Sequence, residues 1–150
     1  MAVDARRDHS MRIPRPDISL SIGSPNACTQ CHEDKSDAWA YDTLQTWGVN
    51  NRFQDLNLAK ARHSADRGDV RALLTLESLV ADGNQSNLMR ASIIEQLGNL
   101  GSRQLPSAAA ILLQSDSPVL RASAVRALRS VEPVQRYLML RPFINDTNLT

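Results

Sequence analysis

The sequence predicts an all-α protein, and three observations support that fold class. Apolar residues recur at three- and four-residue spacing along most of the chain, as they do on one face of an α-helix. A stretch of ten residues recurs in the C-terminal half, which is typical of stacked helical repeats. No segment shows the apolar–polar alternation of a half-buried strand. We therefore expect an irregular N-terminal arm followed by helix pairs.

Residues 1–27 are expected to form the irregular arm, because four residues that interrupt helices punctuate them: Pro14, Pro16, Gly23 and Pro25. Residues 12–16 should be extended, since a residue that precedes a proline avoids the helical region. An extended arm of this kind can wrap around a flat cofactor.

Two helices are predicted after the arm. Residues 34–47 have acidic residues in the first turn and apolar residues at helical spacing, and Gly48 is a stop signal. Trp39 and Trp47 lie on this helix, where large aromatic side chains favour burial in a core or against a cofactor edge. A second helix is predicted from residue 51 or 52 to residue 66.

The internal repeat gives the organisation of the C-terminal half. Residues 88–97 align with residues 119–128, with identical Arg, Ala, Ser and final Leu. Each copy predicts two helices: 70–81, 104–114 and 134–141 as first helices, 87–100 and 118–131 as second helices. Residues 146–150 loosely repeat 116–120 and would begin the second helix of a third copy. The sequence stops inside that copy, so we expect it to be an excerpt.

Each second helix is predicted to bury one apolar stripe: Met89, Ile93, Leu97 and Leu100 in the first copy, Leu120, Ala124, Leu128 and Val131 in the next. Arg90 and Arg121 lie beside these stripes and are expected to pair with a nearby Asp. In helix 134–141, which should stop at Pro142, Val134, Tyr137 and Leu138 share a face that is expected to remain partly uncovered.

Composition narrows the classes of partner. The chain is 42% hydrophobic and 22% charged with a formal net charge of +1, so its charge indicates no particular partner. All of the 17 basic residues except Lys35 and Lys60 are Arg, and they are spread along the chain, which does not predict a nucleic-acid surface. No run approaches the length of a membrane span. Residues 1–10 lack the apolar core of a signal peptide.

The most informative motif is C-x-x-C-H, formed by Cys28, Cys31 and His32. It is the attachment signature of c-type haem. Two intervening residues allow a tight turn to aim both sulfurs at one porphyrin, and the adjacent imidazole can then ligate the iron. We therefore expect one covalent haem c. Because that attachment is made outside the cytoplasm, we expect a periplasmic or otherwise exported protein whose signal peptide lies outside this excerpt.

Two other interpretations of the cysteines are weaker. A thioredoxin-like C-x-x-C opens a helix after a strand, and no such pattern precedes Cys28. A structural zinc ion usually takes four ligands from two pairs, and no second pair follows Cys31. Cys31 and His32 are also adjacent, which makes it awkward for both to bind one ion.

The sixth iron position has several candidates. His9 and Met11 lie in the arm and have the two side-chain types usual for that position. At ~3.3 Å per residue the chain between His9 and His32 is long enough to cross a porphyrin. On residue types alone, His9 fits an iron ligand and a solvated terminal histidine equally well. His63 is a third candidate, although a histidine near a helix C-terminus is also favourable for its charge.

Two stretches carry a resemblance to a known family, residues 9–17 (HSMRIPRPD) and 24–35 (SPNACTQCHEDK), followed by Trp39 and Trp47. Together they resemble part of a bacterial multihaem c-type cytochrome family with C-terminal HEAT-like repeats. The resemblance implies that His9 is the distal ligand and that further haems lie upstream. It implies a haem c-binding segment at 1–50, a connecting helix at 51–68 and HEAT-like repeats forming an α-solenoid at 69–150.

The expected function is electron transfer by a periplasmic multihaem cytochrome, with the repeats docking a redox partner protein or a neighbouring haem domain. One alternative is a non-redox HEAT-repeat interaction module with a structural metal site. Another is part of a multihaem reductase. The repeats also resemble those of phycobilin lyases, but that family does not explain C-x-x-C-H. No catalytic triad, phosphate loop or H-E-x-x-H motif is apparent, so no catalytic residue is assigned.

Overall fold

The computed structural model describes residues 14–48 and 56–145. Every regular element in these two ranges is helical, which confirms the predicted all-α class. The α-helices are α1 (Pro16–Ile22), α2 (Asp37–Thr46), α3 (Leu56–Asp66), α4 (Val70–Ala81), α5 (Asn87–Asn99), α6 (Leu105–Leu113), α7 (Pro118–Ala127) and α8 (Pro133–Leu140). Of the helices described here, none is long and apolar enough to cross a membrane.

The chain divides into two compact units, Met1–Lys60 and Ala61–Thr150, which we call the N-terminal and C-terminal units. The boundary falls inside α3, and therefore inside the stretch 51–68 that was expected to connect the two parts. The predicted start of that helix, at residue 51 or 52, lies outside the described residues, whereas its predicted end at Asp66 is confirmed.

The expectation of an irregular arm through residue 27 is wrong for α1. Pro16 occupies the first helical position, where its missing N–H breaks no hydrogen bond. Gly23 ends the helix in the left-handed conformation (φ 69°), and its N–H donates to the Ser19 carbonyl at 2.8 Å. The residues that suggested interruption therefore mark the two ends of a helix. Arg15, which precedes Pro16, is non-helical as predicted.

Helix α2 begins three residues later than predicted, because Ser36 is its N-cap. The Ser36 hydroxyl accepts a hydrogen bond from the Trp39 N–H at 3.2 Å. The helix ends at Thr46, close to the predicted stop at Gly48. Ala40 and Leu44 form its buried face, and α1 packs against this helix.

Helices α4–α7 form the apolar core of the C-terminal unit. α4 packs on α5 and α6 on α7, while α5 contacts α7 and α4 contacts α6. The predicted bounds of α4 are confirmed, and those of α5 and α6 agree to within one residue at each end. α7 stops at Ala127, and a 3₁₀ turn, Leu128–Ser130, completes the stretch that was predicted as helix to residue 131.

The buried stripe of α5 differs in part from the prediction. Ile93 and Leu97 are fully buried as expected, but Met89 and Leu100 are only half-buried. Gly98 is buried because α5 and α7 approach closely there: a Cβ at this position would lie 2.8 Å from the Ala127 carbonyl oxygen. In α7 the expected Leu120, Ala124 and Leu128 are buried, whereas Val131 is half-buried.

The two arginines beside the stripes bind main-chain carbonyls. Arg90 Nε donates to the Val80 carbonyl at 2.8 Å, and an Arg121 guanidinium nitrogen donates to the Ser115 carbonyl at 2.8 Å. The expected Asp near Arg90 is Asp82: the charge of Arg90 helps to lower the pKa of Asp82, after hydrogen bonds from Asn84 and Gln85. Both arginines satisfy carbonyl groups that would otherwise lack a partner where a helix gives way to a loop.

Polar side chains also join helices about 30 residues apart. Arg126 of α7 donates two hydrogen bonds to Glu95 of α5, at 2.9 and 2.7 Å. Arg62 of α3 donates to Gln96 of α5 at 2.8 Å, and Gln96 donates to Asp66 at 2.7 Å. Side-chain hydrogen bonds therefore join the C-terminal half of α3 to α5, just as they join α5 to α7.

Helix α8 has no buried residues. Val134, Tyr137 and Leu138 are each more than half exposed, which confirms the expectation of a partly uncovered apolar face. The α-helix ends at Leu140, and Pro142 lies within a following 3₁₀ turn, Arg141–Phe143. The predicted start of the third copy's second helix, at residues 146–150, lies outside the described residues.

Candidate functional site

The C-x-x-C-H motif forms a tight turn. The N–H groups of Cys31 and His32 both donate to the Cys28 carbonyl, at 3.2 and 2.9 Å. The His32 carbonyl in turn accepts the Lys35 N–H at 3.0 Å. These bonds bring three residues with reactive side chains into one turn of backbone, as their spacing predicts.

The residues just before the motif fix the start of this turn. Asn26 is buried, and its carboxamide oxygen accepts the Cys28 N–H at 3.0 Å. The amide nitrogen of the same side chain donates to Asp37 Oδ1 at 2.8 Å. The main-chain carbonyl of Asn26 accepts the Gln30 N–H at 3.2 Å. Asn26 therefore shapes the loop through both ends of its side chain and through its main-chain carbonyl.

The motif and α2 enclose a pocket of about 190 Å³. Both cysteines carry free thiols, that of Cys28 half-buried and that of Cys31 exposed. The remaining wall is mostly apolar. The lining residues are Ala27, Cys28, Cys31, His32, Trp39, Ala40, Thr43, Leu44 and Trp47.

Two tryptophans flank the motif in this pocket. The rings of His32 and Trp39 lie 5.0 Å apart between centroids, tilted by 59°. A tilted arrangement at this distance is favourable for aromatic pairs and restrains the imidazole. Trp47 is 71% exposed, so it is not buried in a core, and its other predicted place, against a cofactor edge, stays a prediction. Its indole lines the pocket with most of its surface in contact with solvent.

A zinc ion and a covalently attached haem require different sets of side chains. Among the described residues no group of three or more His, Cys, Asp and Glu side chains is arranged to hold a metal ion. Thioether attachment asks instead for two reachable thiols and an imidazole on one surface, beside apolar side chains that can cover a flat ring. Cys28, Cys31, His32 and the wall of α2 provide these features.

The candidates for the sixth iron ligand are His9, Met11 and His63. His9 and Met11 lie outside the described residues, so the identity of the sixth ligand stays a prediction. His63 is half-buried in the last turn of α3. Its predicted position near a helix C-terminus is confirmed.

The sequence reasoning gave no role to Asn26 or Asp37. One local signal was available, because an Asn two residues before a turn often accepts a hydrogen bond from the backbone, as Asn26 does from Cys28. The bond from Asn26 to Asp37 crosses eleven positions and has no such local signature.

Comparisons with protein-family models, with curated proteins and with solved structures found no match. The resemblance to multihaem cytochromes therefore rests on the sequence motifs, and a function has to be inferred from the pocket itself.

Proposed function

We propose that this chain is a haem c-binding electron-transfer segment. The observation that carries the proposal is the convergence of two free thiols, one imidazole and two indoles on a single pocket. In this proposal the Cys28 and Cys31 thiols each add across one vinyl group, the sulfur bonding to one carbon and the hydrogen to the other. His32 is the proximal ligand of the iron. The bound haem supplies reversible one-electron chemistry.

The surrounding residues have defined tasks in this function. Trp39 restrains the His32 ring through their tilted contact, which limits the directions in which the imidazole can present a nitrogen. Leu44 and Ala40 are buried behind the pocket and keep its floor apolar. An apolar wall excludes water from one side of the ring and so influences its potential.

The sixth ligand decides between two kinds of redox protein. His9 is the proposed distal ligand, with Met11 and His63 as the other candidates. A filled sixth position favours electron transfer, whereas an open one favours a multihaem reductase that binds substrate at the iron. No catalytic residue is assigned to this chain, in keeping with electron transfer.

We further propose that the C-terminal unit is a short α-solenoid of HEAT-like helix pairs. Two contacts support this proposal. The first helices of successive copies, α4 and α6, contact each other, and so do the second helices, α5 and α7. Side-chain bonds such as Arg126–Glu95 join residues 31 positions apart, in step with the sequence repeat. Such a unit would dock a redox partner protein or a neighbouring haem domain, in the periplasm or another exported location.

The test is expression with an export signal and a haem-attachment system. We expect one covalent haem per chain, which survives denaturation and acid extraction. Cys28→Ala or Cys31→Ala should leave a single thioether, visible as a shift of the reduced absorption band, and the double variant should carry no covalent haem. Lys35→Ala, an exposed change near the motif, is the matched control and should load normally.

Two outcomes would contradict the proposal. One is stoichiometric zinc without covalent haem after such expression. The other is covalent haem in the double cysteine variant, because no other cysteine exists in the chain to attach it.

A second candidate, a non-redox interaction module, has one observation in its favour. The apolar face of α8, with Val134, Tyr137 and Leu138, is uncovered. If this function were the main one, the protein without haem would bind its partner as tightly as the protein with haem.

A further inference from the structure

The buried carboxamide of Asn26 uses both of its ends. Its oxygen accepts the Cys28 N–H at 3.0 Å, and its nitrogen donates to Asp37 Oδ1 at 2.8 Å. A buried amide with a hydrogen bond at each end is strongly oriented, because losing either bond leaves a polar group without a partner. The Asn26 side chain therefore links Asp37 to the backbone of Cys28, the first residue of the C-x-x-C-H motif.

Asp37 is the first residue of α2 and directly follows the Ser36 cap. The same helix carries Trp39, Ala40, Thr43 and Leu44, which form the wall of the pocket. A carboxylate in the first turn of a helix is also favoured by the helix dipole. The chain of bonds from Cys28 through Asn26 to Asp37 thus joins the cysteine loop to the pocket wall.

A second contact supports the same junction. The Thr29 hydroxyl lies 3.3 Å from the Asn26 carbonyl oxygen and 3.4 Å from Asp37 Oδ1. Thr29 is one of the two residues between the cysteines. Both the entry to the motif and its interior are therefore tied to the same carboxylate.

We propose that Asn26 and Asp37 are positioning residues that hold the C-x-x-C-H loop against α2 in the form competent for haem attachment. This inference rests on the proposed function, since attachment is what the positioning serves. Two thiols must reach two points on one rigid ring, and a loop that is already ordered presents them together more often. Neither residue touches the reacting sulfurs; both act through the backbone of Cys28 and the wall of α2.

The chemistry of the pair permits a swap. Asn26→Asp keeps the oxygen that accepts the Cys28 N–H but removes the donor and places two carboxylates together. Asp37→Asn alone keeps an acceptor for Asn26 and should be mild. The double change Asn26→Asp with Asp37→Asn restores a carboxylate–amide bond with the two roles exchanged. A merely structural requirement for a particular residue at either position would not be rescued by this exchange.

The experiment has two readouts on the 150-residue chain. The first is amide hydrogen exchange at Cys28 in protein made without haem. The second is the fraction of chains with covalent haem after export with the attachment system. Asn26→Asp should accelerate exchange and lower haem loading, each by roughly five- to tenfold, which is the range of a lost hydrogen bond. The double swap should return both readouts to within about twofold of the original protein.

The possible results separate the two proposals. Original haem loading and exchange in Asn26→Asp would overturn the positioning role, as would a double swap no better than the single change. If α2 amides in Asn26→Asp lose protection, the N-terminal unit has unfolded, and the milder Asp37→Asn with its partner swap supplies the comparison. If the original protein takes no haem, the proposed function fails and the inference with it, while the exchange readout still shows whether the link orders the loop.

Discussion

The two units are held together by different kinds of interaction. In the described part of the N-terminal unit, the buried apolar residues are Pro16, Ala40 and Leu44, and the other buried positions are the polar Asp17, Ser19 and Asn26. The C-terminal unit instead has a continuous apolar core, whose largest members are Leu76, Ile93, Ile94, Leu97, Leu105, Leu112, Leu113, Leu120 and Leu128. One unit is specified by individually placed polar bonds and the other by repeated burial.

This difference has an energetic consequence. A fully buried leucine or isoleucine contributes about 1.5–3 kcal/mol to the free energy of unfolding, so the C-terminal unit can be stable through its own core. The N-terminal unit has few such residues, and a small core alone gives marginal stability. In the proposed function the haem would add the missing apolar surface to the pocket formed by the motif and α2. Ligand binding to a folded state stabilises that state.

The largest expected effect lies in the core of the C-terminal unit. Leu97→Ala should lower the free energy of unfolding by about 2–5 kcal/mol, because it removes a fully buried side chain where α5 meets α7. Leu88→Ala, on the same helix but 74% exposed, is the matched control and should change it by no more than about 0.5 kcal/mol. Urea denaturation followed by helical circular dichroism measures both. Equal losses would mean that burial does not distinguish these positions.

The C-terminal unit was predicted well from the sequence because its apolar residues recur with the period of the helix. The bounds of α4 and the burial of Ile93 and Leu97 follow from apolar spacing, which repeats with the helix itself. Helix α1 was missed because proline and glycine, here Pro16 and Gly23, occur in two different structural contexts. The same residues interrupt a helix in its interior and mark its first position and its end.

The residues of the candidate site also differ in how far the sequence could predict them. Cys28, Cys31 and His32 could be identified from spacing, because their chemistry fixes the number of residues between them. Asn26 and Asp37 could not, since their bond depends on how the loop returns to α2. The membership of α3 in the pattern of bonded helices was also missed. Arg62 meets Gln96 through a long-range side-chain bond that no local pattern in α3 announces.

The second prediction tests polar bonding in the N-terminal unit. Asp17 is buried and receives two bonds from Arg15, Nε to Oδ1 at 2.9 Å and a second nitrogen to Oδ2 at 2.8 Å. Asp17→Ala should weaken α1 by roughly 1.5–3 kcal/mol, because charge-assisted bonds away from solvent are lost. The readout is hydrogen exchange of the Gly23 N–H, whose bond to Ser19 closes the helix.

The matched control is Asp34→Ala. Asp34 pairs with Lys35 at 2.7 Å, but the Asp34 side chain is 72% exposed and solvent screens the pair. We expect no change in Gly23 exchange from this variant. If the two variants gave the same Gly23 exchange, burial of the Arg15–Asp17 pair would not add to the stability of α1. The proposal that polar bonds specify the N-terminal unit would then lose its support.

The smallest expected effect concerns a polar bond within the apolar unit. Burial by itself would raise the pKa of Glu95, but hydrogen bonds from Arg126 and Ser123 and the charges of Arg126 and Arg129 hold it below its ordinary value. A carboxyl group with a lowered folded-state pKa adds stability above its unfolded-state pKa. That stability is lost as the pH falls through the folded-state pKa. The pair lies near the surface, so its contribution at pH 7 should be about 0.2–1 kcal/mol.

Glu95→Gln should therefore lower the free energy of unfolding slightly at pH 7, and the effect should shrink as the pH falls through the lowered folded-state pKa of Glu95 and the original carboxyl group becomes protonated. Arg126→Gln and the double variant complete a cycle that isolates the pairwise coupling from the other bonds of Arg126. Added salt should reduce the coupling, because the pair is partly exposed. A coupling as large as the Leu97→Ala effect would contradict the comparison, since it would show α5 and α7 to be joined mainly by charge. A small coupling that disappears in acid would mean that burial joins these helices and that the Arg126–Glu95 bond only adjusts how they align.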